Sequence, residues 1–266
     1  MAADDRLRPS APHRAGIQNM RIFQYWNTGD PPEDVSACIR SVRAANPDFE
    51  HQLFDRQSAA WFIGKRLGER EKNAFLALAV PAMQADYFRL CALWARGGVW
   101  IDADSRAQRP LGSLLAAAPG GYISMWNGRL QNHVIAAGQH HCPFLRASVE
   151  LATRQIDRRL DGTAYHITGP RVLNLVWAVI DPEGRHEDPH LRRNSDVPRT
   201  EEAESVVALC PGAAEAFAKM ERRHDFWTAQ WLTEVEDAAY KATPQDWRKW
   251  SDDIYFPNGN ISKAGA

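Results

Sequence analysis

The chain has 266 residues, 44% of them hydrophobic and 24% charged, and a formal net charge of −1 at pH 7. That apolar share can fill the core of one large domain and excludes a disordered chain. The even charge balance argues against nucleic acid as a partner, because a phosphate backbone is met by a clear basic excess.

In chain order, residues 1–20 read as a disordered lead-in, and 21–266 as a single domain. "RIFQYW", Arg21–Trp26, predicts a short buried strand. Asp30, two prolines and then Glu33 and Asp34 predict a helix start, with the helix running to about Ala45. "PDFEHQLFD" alternates as a half-buried strand does. Helices are expected across Ser58–Leu67, Glu71–Ala79 and Met83–Arg96, the last closed by Gly97. "VWI" is a short strand aimed at Asp102. Residues 121–126 and 132–138 form a strand pair around an Asn127-Gly128 turn. Further helices cover Phe144–Leu160 and Pro170–Ile180, residues 181–200 form a charged loop, Glu204–Cys210 is expected as a strand, and 211–266 as a helical C-terminal part. Strands alternating with helices predict an α/β domain with a mainly parallel central sheet flanked by helices.

The four cysteines, Cys38, Cys91, Cys142 and Cys210, show no CxxC spacing and lie in apolar contexts, as free buried thiols of a reducing compartment do. No window reaches the ~18 apolar residues of a membrane span, and the first 20 residues lack the apolar run of a secretion signal. The expected location is cytoplasmic.

Two aspartates, Asp102 and Asp104, follow the "VWI" run. In a strand, residues two apart share a face, and like charges there repel unless a cation or water lies between them. Hard divalent ions such as Mg2+ or Mn2+ take carboxylate oxygens and share their shell with substrate phosphates. The tripeptide alone favours a solvated turn, because two Asp close together in a loop are common. Its context shifts the balance: Asp86 and Arg89 lie three apart on the helix that leads into it, among residues that are nearly all apolar. An ion pair inside so apolar a helix points to a role beyond solubility, such as holding a phosphate or sugar hydroxyls.

The stretch "MQADYFRLCALWARGGVWIDADSRA" resembles the core signature of the family 32 glycosyltransferases, DXD-containing sugar transferases that include yeast mannosyltransferases and the glucosylating domains of clostridial toxins. The likeness extends to "RIFQYWNTG", to "NHVIAAGQHHCPFL", where Cys142 is inserted between His and Pro, and to "HITGP". It spans about residues 20–175 and loosens beyond. It implies a GT-A type fold and transfer of a hexose from a UDP- or GDP-sugar to a hydroxyl acceptor: a glycan, a lipid-linked glycan or a lipid. Retention of anomeric configuration and Mn2+ or Mg2+ dependence are implied too. A lipid acceptor would be met peripherally at the inner face of a membrane. Position by position, the resemblance makes Asp102 and Asp104 the metal and diphosphate ligands and gives Asp86 and Arg89 the donor sugar and phosphate. It also makes Trp26 a wall of the base pocket, sets Asn132 beside the transferred sugar, and offers His224 as a further group closing the metal site. His166 reads as a turn anchor, and His140 and His141 as loop residues.

Two rivals remain open at this point. Haloacid-dehalogenase-type phosphatases also place Asp-x-Asp after an apolar strand, but after the first one and with Thr or Val following. A non-catalytic sugar-nucleotide-binding module would not need all four charged residues.

Overall fold

The computed structural model describes residues 20–186, 188–235, 238–243, 246, 250 and 253–256, with backbone alone at 226 and 227. The chain folds in the order β1 (Arg21–Tyr25), α1 (Glu33–Ala45), β2 (Glu50–Phe54), α2 (Arg56–Arg66), α3 (Glu69–Ala77), α4 (Pro81–Arg96), β3 (Gly98–Ile101), β4 (Ser105–Ala107), α5 (Gly112–Ala116), β5 (Gly121–Trp126), β6 (Arg129–Ala137), α6 (Pro143–Asp157), α7 (Ala164–Ile167), α8 (Pro170–Ile180), α9 (Glu201–Ala208), α10 (Ala213–Ala218), β7 (Glu221–His224), α11 (Asp225–Thr228) and β8 (Leu232–Glu234). Six strands form one sheet in the order β2-β1-β3-β6-β5-β7, and β4 pairs with β8 in a small second ribbon. Only β6 runs against the other five strands, so the sheet is mainly parallel, as expected.

The larger core cluster lies between the sheet and α2–α4, α6 and α8, and includes Phe75, Phe88, Trp100, Phe144 and Trp177, all fully buried. A smaller one, around Ile22, Val99, Val134 and Tyr122, fills the other face beneath α5. Four strand residues in a row, Gly98–Ile101, are buried, which is why "VWI" shows no polar alternation.

The Gly97-Gly98 pair has two separate reasons. Gly97 ends α4 with φ 63° and ψ −161°, a conformation open to glycine. Gly98 has φ 96°, and a Cβ there would stand 2.6 Å from the Arg21 carbonyl oxygen of the neighbouring strand. The pair thus turns a buried helix into a buried strand with no loop between. The expected Asn127-Gly128 hairpin is present, with φ 48° and 69° at its two residues.

Three expectations are corrected. Glu204–Cys210 is not a strand. Thr200 caps α9 by accepting from Ala203 N at 3.2 Å, and three acidic residues fill the first turn, so capping outweighs the Val206-Val207 pair. The part from 211 onward is not simply helical: β7 and β8 both lie in it. The first helix starts at Glu33 after Pro32, not at an Asp30 cap. The expected lead-in, residues 1–20, lies outside the described residues apart from Met20.

All four cysteines are free and buried. Among the described residues no helix is long and apolar enough to cross a membrane.

Candidate active site

A cavity of about 370 Å³ opens at the C-terminal ends of β1 and β3, the edge at which open α/β sheets bind ligands. Trp26, Asp86, Arg89, Asp102, Asp104 and Asn132 all line it, so six of the seven residues singled out in the sequence converge there.

Arg89 is the hub. α4 presents it one turn from Asp86, and its Nη2 lies 2.8 Å from Asp86 Oδ1 and 3.2 Å from Asp102 Oδ1. Its Nη1 donates to the Asn132 carbonyl oxygen, and its guanidinium lies over the Trp100 ring at 5.0 Å. Its side chain is 4% exposed. Asp86 Oδ1 also accepts from Asn132 Nδ2 at 2.8 Å. Burial raises the Asp86 pKa, opposed by Arg89 and the Asn132 bond. One arginine therefore ties α4 to β3 and β6 at the pocket floor.

The two aspartates do not share a strand. β3 ends at Ile101, and Asp102–Ser105 is a turn closed by Ser105 N donating to Asp102 O at 3.0 Å. Both carboxylates still reach the cavity, because the turn is held from each side. Asp102 N donates to His133 O at 3.0 Å, and Gln24 Nε2 donates to Asp102 O at 3.3 Å. Asp102 Oδ1 accepts from Trp100 Nε1 at 2.7 Å. Burial, opposed by Arg89 and reinforced by Asp104, lifts the Asp102 carboxyl to about 7.

His224 is not brought to the pocket. It ends β7, with its ring 5.1 Å from that of Trp126 and 6.0 Å from that of His190. Its register partner Met125 belongs to β5, two strands away from β3, which is why the structure sets it apart.

The C-terminal contribution comes from residues that the sequence gave no reason to pick. β8 lies against β4, directly after the aspartates, and brings Glu234 to the rim. The short helical turn Ala239–Ala242 then crosses the pocket mouth. Tyr240 OH donates to Asp104 Oδ2 at 2.7 Å, and its ring meets that of Trp26 edge-on at 5.1 Å. Lys241 Nζ lies 3.0 Å from Asp104 Oδ2 and 2.6 Å from Glu234 Oε1. Burial lowers the Lys241 pKa, but Glu234 and Asp104 outweigh it, so the ammonium is held above its ordinary value. Trp100 was not singled out either, although its place two residues before Asp102, in β3, could have drawn attention to it.

Among the described residues no three His, Cys, Asp or Glu side chains converge to cage a metal ion. The two aspartates nevertheless suit a hard divalent cation that completes its shell with water and donor oxygens. Asp102 Oδ2 and Asp104 Oδ1 accept no hydrogen bond among the described residues, and both carboxylates border the cavity.

Residues 32–120 match the model of a family described as the glycosyltransferase sugar-binding region containing a DXD motif. That segment is about a third of the chain, and its likeness is to the DXD region of that family. Asp102–Asp104 stand inside the matched segment, and Tyr240 and Lys241 outside it. The chain is similar to mannosyl phosphorylinositol ceramide synthase of Saccharomyces cerevisiae, 28% identical over 65% of this chain and 45% of that protein. It is similar to inositol phosphoceramide mannosyltransferase 2 of Schizosaccharomyces pombe, 26% identical over 59% of this chain and 45% of the relative. The initiation-specific alpha-1,6-mannosyltransferase of the same yeast is 25% identical over 38% of this chain and 26% of its own. The chain thus matches less than half the length of these curated relatives. A solved structure, the PaToxG glycosyltransferase, aligns with a TM-score of 0.45 at 13% identity, covering 87% of this chain and 86% of its own.

Proposed function

We propose that the chain transfers a hexose from a nucleotide-diphosphate sugar to a hydroxyl acceptor, with mannose the first sugar to test because the curated relatives are named for mannosyl transfer. The observation that carries the reading is the Arg89 hub: one buried guanidinium joins Asp86 and Asp102 at the floor of a cavity that Asp104 and Asn132 also line. Such a floor suits a donor whose diphosphate needs cationic neighbours and whose sugar needs hydrogen-bond acceptors. In this reading Asp86 and Asn132, joined by a hydrogen bond at the cavity floor, orient the sugar. Arg89 stabilises charge on the departing diphosphate. Trp26 offers a flat face for the base. Asp102 and Asp104 would hold a divalent cation, which supplies electrostatic stabilisation of the leaving group.

A retaining front-face displacement is the mechanism proposed, since Asp86 and Asp102 are already engaged by Arg89. The acceptor is a glycan or a lipid carrying a free hydroxyl, as the ceramide-linked names of two relatives suggest. The phosphatase reading would place the Asp-x-Asp after the first strand, whereas here it follows β3, the third strand in chain order.

The test is a panel of UDP- and GDP-hexoses with Mn2+, scored for donor hydrolysis without acceptor. One donor should turn over well above the rest, and Asp102→Asn and Asp104→Asn should abolish it, a loss of ~100-fold or more. Release of phosphate from simple aryl phosphates, lost in Asp102→Asn, would instead establish the phosphatase.

A further inference from the structure

The two aspartates of the pocket are held in the same manner. Each has one oxygen engaged by one cationic and one neutral donor. For Asp102 these are Arg89 at 3.2 Å and the Trp100 indole at 2.7 Å, both on Oδ1. For Asp104 they are Lys241 at 3.0 Å and the Tyr240 hydroxyl at 2.7 Å, both on Oδ2. The other oxygen of each, Asp102 Oδ2 and Asp104 Oδ1, accepts no hydrogen bond among the described residues, and both residues line the cavity. Arg89 and Trp100 belong to the matched DXD region; Tyr240 and Lys241 do not.

The second pair is built in and is no chance surface contact. The Lys241 side chain is 9% exposed and that of Asp104 12%. Lys241 Nζ also donates to Val235 O at 2.9 Å, and Val235 N donates to Asp104 O at 3.0 Å, so the backbone around Asp104 and the lysine are fastened together. Ala239 N donates to Asp34 Oδ2, which anchors the same segment to α1.

We propose that Tyr240 and Lys241 are positioning residues for Asp104. They hold Oδ2 so that Oδ1 faces a divalent cation, and the lysine sets how strongly that cation binds by itself. An ammonium 3.0 Å from the ligand carboxylate already neutralises much of its charge and repels a second positive ion. The cation therefore binds weakly alone and firmly when a negatively charged diphosphate arrives with it. This rests on the reading of the pocket as a cation–diphosphate site, and it makes metal and donor binding cooperative by construction.

The test is titration of Mn2+, followed by electron paramagnetic resonance of the free ion, without nucleotide and then with GDP or UDP. Wild type, Lys241→Met, Lys241→Arg, Tyr240→Phe and Asp104→Asn are compared after their thermal melts are recorded. Lys241→Met should bind Mn2+ alone roughly tenfold more tightly than wild type, as loss of a unit charge at this range implies. Its gain in Mn2+ affinity on adding the nucleotide should shrink. Lys241→Arg should restore wild-type behaviour, and Asp104→Asn should lose binding. Tyr240→Phe keeps every charge but leaves Asp104 less firmly oriented, so Mn2+ alone should bind more weakly than in wild type. Its Mn2+–nucleotide complex should weaken several-fold, because Asp104 loses an orienting bond. Should Lys241→Met fail to fold, Lys241→Gln carries the same expectation. Equal affinities in wild type and Lys241→Met, or an arginine variant that behaves like the methionine one, would overturn the role of Lys241. An unaltered Tyr240→Phe in both titrations would overturn that of Tyr240. If the variants shift as stated but neither nucleoside diphosphate binds, the transferase reading falls and the positioning stands.

Discussion

Besides the Ala85 carbonyl of its own helix, Arg89 gives one guanidinium three oxygen acceptors, on Asp86, Asp102 and the Asn132 backbone, and an indole face. It is therefore part of the scaffold as well as of the pocket, and its removal should be felt in both. Arg89→Met leaves Asp86 buried without its cation and should cost about 3–5 kcal/mol. Arg89→Lys should fall between, because an ammonium cannot span three acceptors as a planar fork does. Asp86→Asn keeps an acceptor for Asn132 and should cost only about 1–2 kcal/mol, while donor turnover falls much further. Paired urea unfolding and donor-hydrolysis measurements check this; an Arg89→Met protein as stable as wild type would show that water fills the floor of the pocket. Asp86, Arg89, Asp102 and Asp104 drew attention because they sit in one continuous pattern of helix turn, glycine pair and strand, whereas Asn132, on β6, came only from the resemblance of a separate stretch. Lys241 and Tyr240 drew none. They lie more than 130 residues from Asp104 in sequence, and "AYKA" has nothing to distinguish it from any polar turn.

Between elements, His51 fastens the edge strand to the strand that leads into the pocket. Its Nε2 meets Gln24 Oε1 at 2.6 Å and its Nδ1 meets Arg43 Nη2 at 3.2 Å, which fits a neutral ring that donates from Nε2 and accepts at Nδ1. Gln24 in turn donates to the Asp102 carbonyl. Burial, with help from Arg43, lowers the His51 pKa to about 4. The folded value lies below the ordinary one of ~6.5, so on acidification the unfolded chain takes up a proton that the folded chain refuses. The stabilisation is whole above pH ~6.5, declines as pH falls toward 4, and changes little below. Urea unfolding between pH 7 and 4 should show this slope, and His51→Gln should flatten it; an identical slope in the variant would assign it elsewhere. Element reading from sequence succeeded where periodicity was long, as in α4 and the β5–β6 hairpin. It failed at α9, where two adjacent valines suggested a strand and a threonine cap with acidic first-turn residues decided for a helix.

Across the whole molecule, sheet direction was legible because parallel strands need helical crossovers, and the sequence alternates the two. The ribbon of β4 and β8 was not, since three-residue strands carry no period. That ribbon has a consequence in time. Ser105–Ala107, the residues directly after the DXD turn, find their pairing partners only at Leu232–Glu234. Contacts so far apart along the chain close late, because the intervening loop must be ordered first. During synthesis, the segment holding Asp86, Arg89 and both aspartates leaves the ribosome more than a hundred residues before the strand that secures it, and domains acquire their parts in that order. A nascent chain stopped short of residue 232 therefore holds every residue of the sugar-transferase signature, yet lacks the clasp that sets Asp104. On the proposed function, competence to bind a charged donor would be among the last things folding supplies, after collapse of the core.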